Sequence, residues 1–214
     1  MPDAPFDVAV FDHLLSTTRA VRRRLDLSRP VEPDVIRDCV RLSQQTPSGQ
    51  DAQGWRWVVV NDRDKRAALG EIYARALPGL RGLERSHEGD PKAQRMYQAV
   101  VWLAENISEV PCLVIPCVQG RPPEKFSATL YATIYGSIIP AVWSFQLALR
   151  SRGLGSCYTT LTLDYEAEVR ALLGIPDDVL QVAMLPVAYT VGTDFKTATR
   201  PPPDEVIHWD QWRD

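Results

Sequence analysis

A chain of 214 residues in which 45% of side chains are hydrophobic and 24% charged has material for one substantial core, which excludes a disordered polymer. Its formal charge of −3 excludes a general basic field for collecting nucleic acid or an anionic membrane, so any anion site has to be local. The start, Met1 to Phe11, lacks a basic stretch leading into an apolar one, and the apolar runs Val110–Val118 and Ile138–Val142 fall short of the roughly 20 residues of a membrane span. Neither a secretory leader nor a membrane span is expected, and the expected location is the cytoplasm.

Phe6, Val10, Phe11, Leu14 and Leu15 recur at helical spacing and predict an amphipathic helix ending near Ser16–Thr18. The basic run Arg19-Ala20-Val21-Arg22-Arg23-Arg24 follows. On a helix it would turn Arg19, Arg22 and Arg23 to one side, where guanidinium groups suit phosphate oxygens, although the run also reads as a solvated face. Pro33 to Ser43 predicts a second helix with proline in its first turn, ending at Thr46-Pro47. The polar, turn-rich stretch Pro47 to Gly54 then feeds a β-branched and aromatic strand, Trp55–Val60.

A helix from Asp62 to about Ala76 is capped by Asn61-Asp62. Leu77 to Pro91, with its prolines, glycines and charges, reads as a mobile surface segment. Helix Lys92–Asn106, strand Val110–Val118 and loop Gly120–Lys125 come next. Leu130–Arg152 is apolar on nearly every side, which predicts a central buried helix that Pro140 kinks. Gly153 stops it. An extended stretch Leu154–Thr162, a helix Tyr165–Leu173 closed by Gly174, and a final core strand Leu180–Val191 complete the body. The tail from Thr193 is polar, holds Pro201–Pro203, and ends in a Trp209/Trp212 pair that suggests a surface to lie on, such as another subunit. Helices interleaved with strands are the α+β or α/β pattern.

Chemistry is narrowed by what is missing. The sequence has no Gly-x-Ser-x-Gly elbow and no phosphate-binding loop of the Walker type, and His13, His87 and His208 are scattered. Gly153-x-Gly155 follows a helix and lacks a third glycine, so it is not a dinucleotide fingerprint. Cys39, Cys112, Cys117 and Cys157 are far apart among apolar neighbours and read as buried residues, with no metal expected. A bound cofactor is left as the carrier of chemistry. In the Pro47–Gly54 stretch, Ser48, Gln50, Asp51 and Gln53 could hold a polar heterocycle while Gly49 lets backbone approach closely, although an ordinary turn has the same composition.

Arg19-Ala-Val-Arg-Arg-Arg24, Pro47-Ser-Gly-Gln-Asp-Ala-Gln-Gly-Trp55 and Gly153-Leu-Gly-Ser-Cys157, in that order, resemble the nitroreductase superfamily over residues 11 to 205. The resemblance implies one α+β domain over 1–214, with a central, mainly antiparallel sheet flanked by helices. It also implies an intertwined homodimer in which the tail 193–214 wraps the partner, and FMN as cofactor. Arg19, Ala20 and Arg22, joined by Arg200, would hold the phosphate and ribityl end. Pro47, Ser48 and Gly49 would come from the partner subunit, Asp51 and Gln53 would contact the ribityl chain or ring, and backbone amides at Tyr158, Thr159 and Thr160 would face the ring's polar edge. No side chain is implied as catalytic. NADPH or NADH would reduce the flavin, and a nitroaromatic, quinone or related small-molecule acceptor would reoxidise it in a ping-pong cycle. A dehalogenase or desaturase on the same fold, or an FMN-storage protein, are the alternatives. Residues 77–91 and 126–135 would form the acceptor lid. Ala20, Asp51 and Gly54 depart from the family's usual Ser, Asn and Pro.

Overall fold

The computed structural model describes residues 5–123, 125 and 127–212, so Phe126 of the expected lid lies outside the described residues. The chain forms two compact units, Met1–Thr18 with Asp194–Asp214, and Arg19–Thr193. The smaller holds helix α1, Val8–Thr17, started by the Asp7 carboxylate accepting from Val10 N. It exposes Phe6, Phe11, Val206, Trp209 and Trp212, with the His208 and Trp212 rings stacked at 4.1 Å.

The larger unit is built on five antiparallel strands: β1 Trp55–Val60, β2 Cys112–Gln119, β3 Leu154–Ser156, β4 Val179–Gln181 and β5 Leu185–Tyr189. Their order is β1-β2-β5-β3, with β4 also on β2. Cys117 pairs with Gln181 and Val114 with Leu185, so three steps along β2 match four along the facing chain. That extra residue is a bulge. It divides what the sequence presents as one strand, Leu180–Val191, and it falls opposite Pro116, whose carbonyl accepts from Val182 N at 3.0 Å. The carbonyl and nitrogen of one strand residue point the same way, so the proline nitrogen faces the bulge, where no ladder bond is lost.

Cys112 to Cys117 are all buried, because β2 is covered on both faces. Cys112 and Val114 join the cluster with helices α2 (Pro33–Ser43) and α6 (Ala128–Arg150), and the alternate residues Leu113, Ile115 and Cys117 point the other way. Helices α3 (Arg63–Ala74) and α5 (Pro91–Asn106) bury Leu69, Tyr73 and Leu103. α7, Glu166–Leu173, is closed by Gly174 at φ 66°, a left-handed residue that favours glycine.

Two expectations change. Leu77–Ser86 is a helix, α4, with Pro78 in its first turn and Leu80 buried, so its proline starts a helix instead of marking a loose segment. α6 is continuous through Pro140 and only one of its faces is buried, through Ile138, Ala141, Val142, Phe145, Ala148 and Leu149. The other face presents Leu130, Tyr131, Ile139 and Trp143, the last two 45% and 42% exposed. α6 is also the one described helix long and apolar enough to cross a membrane, and its buried face closes the core against the sheet.

Candidate functional site

The basic segment is extended, not helical. Val21 N donates to Ser156 O at 2.8 Å, Asp26 N to Tyr189 O at 2.8 Å and Val191 N to Arg24 O at 2.9 Å, so the segment runs beside β3 and the end of β5. Gly155 permits this approach: a Cβ there would lie 2.9 Å from Val21 and 2.7 Å from Thr190. Backbone pairing to the sheet outweighs the weak helical preference of the run.

The arginines therefore diverge instead of sharing a face. Arg19 and Ala20 line a cavity of about 360 Å³ with Ile139, Val142, Trp143 and Gln146 of α6 and with Tyr158. Arg22 is half-buried, and its charge lowers the Tyr73 phenol and the Cys157 thiol against the larger effect of burial. Arg23 lines a separate cavity with Arg81 and Arg85 of α4 and Trp102 of α5. Arg24 Nε donates to Val191 O at 2.8 Å. Among the described residues Arg22 has no carboxylate partner.

The cavity has apolar walls and a polar rim. Ile139, Val142 and Trp143 supply the walls, while Gln146 donates through Nε2 to Ser156 Oγ at 2.9 Å. Tyr158 donates its hydroxyl to Val182 O at 3.1 Å, and burial pushes its phenol up, so it stays protonated. Thr159 is buried. Its N–H donates to Met184 O at 3.2 Å and its carbonyl accepts from Met184 N at 2.8 Å, so its amide serves the sheet instead of the cavity. Thr160 is exposed, and its carbonyl accepts from Leu163 N as a 3₁₀ turn begins.

The Pro47–Gly54 loop docks on α6 further toward that helix's N-terminus and is not among the residues lining the cavity. Gly49 N donates to Ser137 Oγ at 2.9 Å, and a Cβ on Gly49 would sit 2.5 Å from Thr133 Cγ2. Gln50, Asp51 and Gln53 have φ of 56°, 52° and 46°. Three left-handed non-glycine residues in four positions store strain of the kind that gathers at functional sites. Ser48 Oγ accepts from Gln53 N at 3.1 Å, and Asp51 Oδ1 accepts from Gln53 Nε2 at 2.7 Å. Pro47 leads into this turn. Arg200 lies exposed in the tail, its guanidinium donating to Thr199 O at 3.3 Å.

The four α6 residues of the cavity carry no motif, but their spacing, i, i+3, i+4 and i+7, marks one helix face, with a glutamine on an otherwise apolar surface. Burial pushes the thiols of Cys39 and Cys157 up to about 11 and those of Cys112 and Cys117 up to about 12, which leaves all four protonated at neutral pH. Among the described residues no three His, Cys, Asp or Glu side chains converge as a metal site.

The family model for nitroreductases matches residues 15–189. Iodotyrosine deiodinase 1 of Rattus norvegicus is 27% identical over 188 residues, covering 84% of this chain and 61% of its own. The chain thus spans about three-fifths of that relative. The iodotyrosine deiodinase of Thermotoga neapolitana is 25% identical over 175 residues, covering 82% of this chain and 86% of its own. A solved structure of an iodotyrosine deiodinase bound to FMN and 3-iodo-L-tyrosine superposes with a TM-score of 0.68 at 21% identity, over 94% of this chain and 98% of that one. At that identity the likeness is one of fold.

Proposed function

Because the chain belongs to the nitroreductase family, we propose that it is an FMN-dependent oxidoreductase, drawing electrons from NADPH or NADH and delivering them to a nitroaromatic, quinone or related small-molecule acceptor. The observation that carries this reading is the cavity in which Arg19, Ala20 and Tyr158 meet one face of α6.

The residues fit the group. Ile139, Val142 and Trp143 offer an apolar surface to a planar ring, and Gln146, already fixed by Ser156, offers a polar contact at its edge. Neighbouring strand amides point in opposite directions. With Thr159 N–H bonded to Met184 O, the amides of Tyr158 and Thr160 are the ones proposed to meet the ligand. Arg22, partly buried and without a described carboxylate partner, suits a phosphate, and Arg19 is proposed with it because it lines the cavity. Arg200 is proposed with them on the family resemblance. Ala20 adds no hydroxyl, so the arginines carry more of the phosphate's binding. Bound there, FMN supplies the two-electron chemistry, and no side chain is assigned as catalytic.

The protein works as a homodimer in this reading. The exposed face of α6 and the strained Pro47–Gly54 loop lie on the same helix, so pairing two copies through that face carries Pro47, Ser48 and Gly49 of each toward the cavity of the other. Asp51 and Gln53 travel with them toward the ribityl chain. A cytoplasmic location, with NADPH and NADH at hand, belongs to the same proposal. The deiodinase relatives favour a second reading in which the acceptor is a halogenated aromatic that loses halide.

The test is the visible spectrum of the purified protein, supplied with FMN under anaerobic conditions, before and after NADPH or NADH. Flavin bands that bleach, then return with a nitroaromatic or quinone, support the first reading. Return with an iodophenol and release of iodide supports the second, bands that never bleach leave a storage protein, and no flavin bound overturns all three.

A further inference from the structure

Among the described residues Tyr73 is the largest fully buried side chain, and the cofactor reading leaves it unused. It projects from α3, is 2% exposed, and its hydroxyl oxygen accepts from Thr159 Oγ1 at 3.0 Å. Neither residue lines the cavity, but Tyr158, immediately before Thr159, does. The backbone of Thr159 is tied to Met184 within the sheet, and its side chain is the tie to the helical layer. Burial pushes the Tyr73 phenol up to about 12 against the lowering effect of the Thr159 bond, so the pair is neutral at working pH. The charge of Arg22, the arginine assigned to phosphate, lowers the Tyr73 phenol and the Cys157 thiol against the larger effect of burial.

Building on the FMN reading, we infer that Tyr73 is a positioning residue for the cofactor: through the hydroxyl of Thr159 it holds the Tyr158–Thr160 segment at the height where its amides meet the polar edge of the ring. Donors at that edge favour the electron-rich, reduced ring. A segment released from α3 moves these donors away, so the cofactor is held less tightly and is harder to reduce. A tyrosine that merely fills the core affects neither quantity once its ring is kept.

The experiment uses the full chain with FMN and compares Tyr73→Phe, Thr159→Val, the double variant and Thr159→Ser. It reads FMN affinity by fluorescence titration and the reduction potential of bound flavin by equilibration with a reference dye. Tyr73→Phe is expected to weaken FMN about tenfold, the scale of one hydrogen bond, and to lower the potential. Thr159→Val does the same, the double variant is no worse than either single one, and Thr159→Ser keeps both values near the wild type. A wild-type potential and affinity in Tyr73→Phe, or effects that add in the double variant, overturn the inference while leaving FMN binding in place. Failure of the unaltered protein to bind FMN overturns the reading beneath it and the inference together. Should Tyr73→Phe not fold, Thr159→Val against Thr159→Ser decides: equal values overturn the inference, and a loss confined to the valine supports it.

Discussion

Gln146 and Ser156 are joined by a 2.9 Å hydrogen bond between α6 and β3, and the same Ser156 accepts from Val21 N through its carbonyl. One serine thus sets both the polar side chain that enters the cavity and the backbone leading out of it. Replacing Gln146 by Leu keeps the volume but leaves the buried Ser156 hydroxyl without its partner. The expected cost is about 1–3 kcal/mol of stability, together with weaker FMN binding. Thermal unfolding of the apoprotein and FMN titration check the two effects separately, and a variant that binds FMN like the wild type removes Gln146 from the site.

Gly155→Ala is expected to do more damage than a single methyl suggests. The new Cβ meets Val21 Cβ and Thr190 Cγ2 at under 3.0 Å, and the Val21 Cβ is fixed by backbone paired to Ser156, so it cannot swing aside. Overpacking of this kind costs about 1–3 kcal/mol, and relief requires pushing the Arg19–Arg22 segment off the sheet edge. FMN affinity should therefore fall by a larger factor than in a surface glycine control such as Gly89→Ala, where a Cβ meets nothing within 4 Å.

How far the sequence could be read follows from where each element finds its partners. Pro33, Asp62 and Gly174 act on their own helices, so the ends of α2, α3 and α7 were legible within a residue or two. The extended course of the basic run could not be read from the sequence, because its partners, Ser156, Tyr189 and Val191, lie more than a hundred residues away. The bulge that splits β4 from β5 was hidden because it answers a proline on β2. Of the residues that the motifs single out, Arg19, Ala20 and Tyr158 line one cavity, whereas the amide of Thr159 is bonded to Met184. The walls contributed by α6 had no motif to announce them, since apolar residues on one helix face look the same whether they meet core, cofactor or a second chain.

Arg22→Ala and Arg200→Ala test the phosphate assignment. A charge-assisted hydrogen bond to phosphate is worth about 1.5–3 kcal/mol, so each should weaken FMN roughly tenfold to a hundredfold while affecting riboflavin, which lacks the phosphate, far less. Equal losses for FMN and riboflavin would place these arginines elsewhere.

Acid stability should depend on Glu166, at the N-terminus of α7. Burial works against its charge, but the Arg121 guanidinium, the Gln181 amide at 3.1 Å and Arg170 at 3.7 Å outweigh it and hold the carboxyl below its usual value near 4.5. A carboxylate whose folded value is depressed contributes stability above its unfolded value, and loses it as pH falls through the folded one. Glu166→Gln should therefore be less stable than the wild type at pH 7 by about 1–3 kcal/mol, with a gap that closes as pH drops below 4.5. Urea unfolding at several pH values measures the gap, and a gap independent of pH would assign its origin to packing.

In the proposed homodimer the exposed face of α6 would tie assembly to cofactor binding. Tyr131, Ile139 and Trp143 are large apolar residues left on the surface of a single chain, a pattern that marks an interaction surface. Tyr131 does not line the cavity, so Tyr131→Asp alters the face without touching the proposed cofactor contacts. The substitution removes the stacking of Tyr131 on Tyr135 within one chain, and in a symmetric dimer it would also place two carboxylates in an apolar interface. Sedimentation should show the mass falling from twice 24.0 kDa to the single chain, and FMN affinity should fall with it, because the loop at Pro47, Ser48 and Gly49 leaves with the second copy. A monomer that binds FMN as tightly as the dimer would show instead that each cavity is complete within one chain, and that the strain at Gln50, Asp51 and Gln53 serves assembly alone.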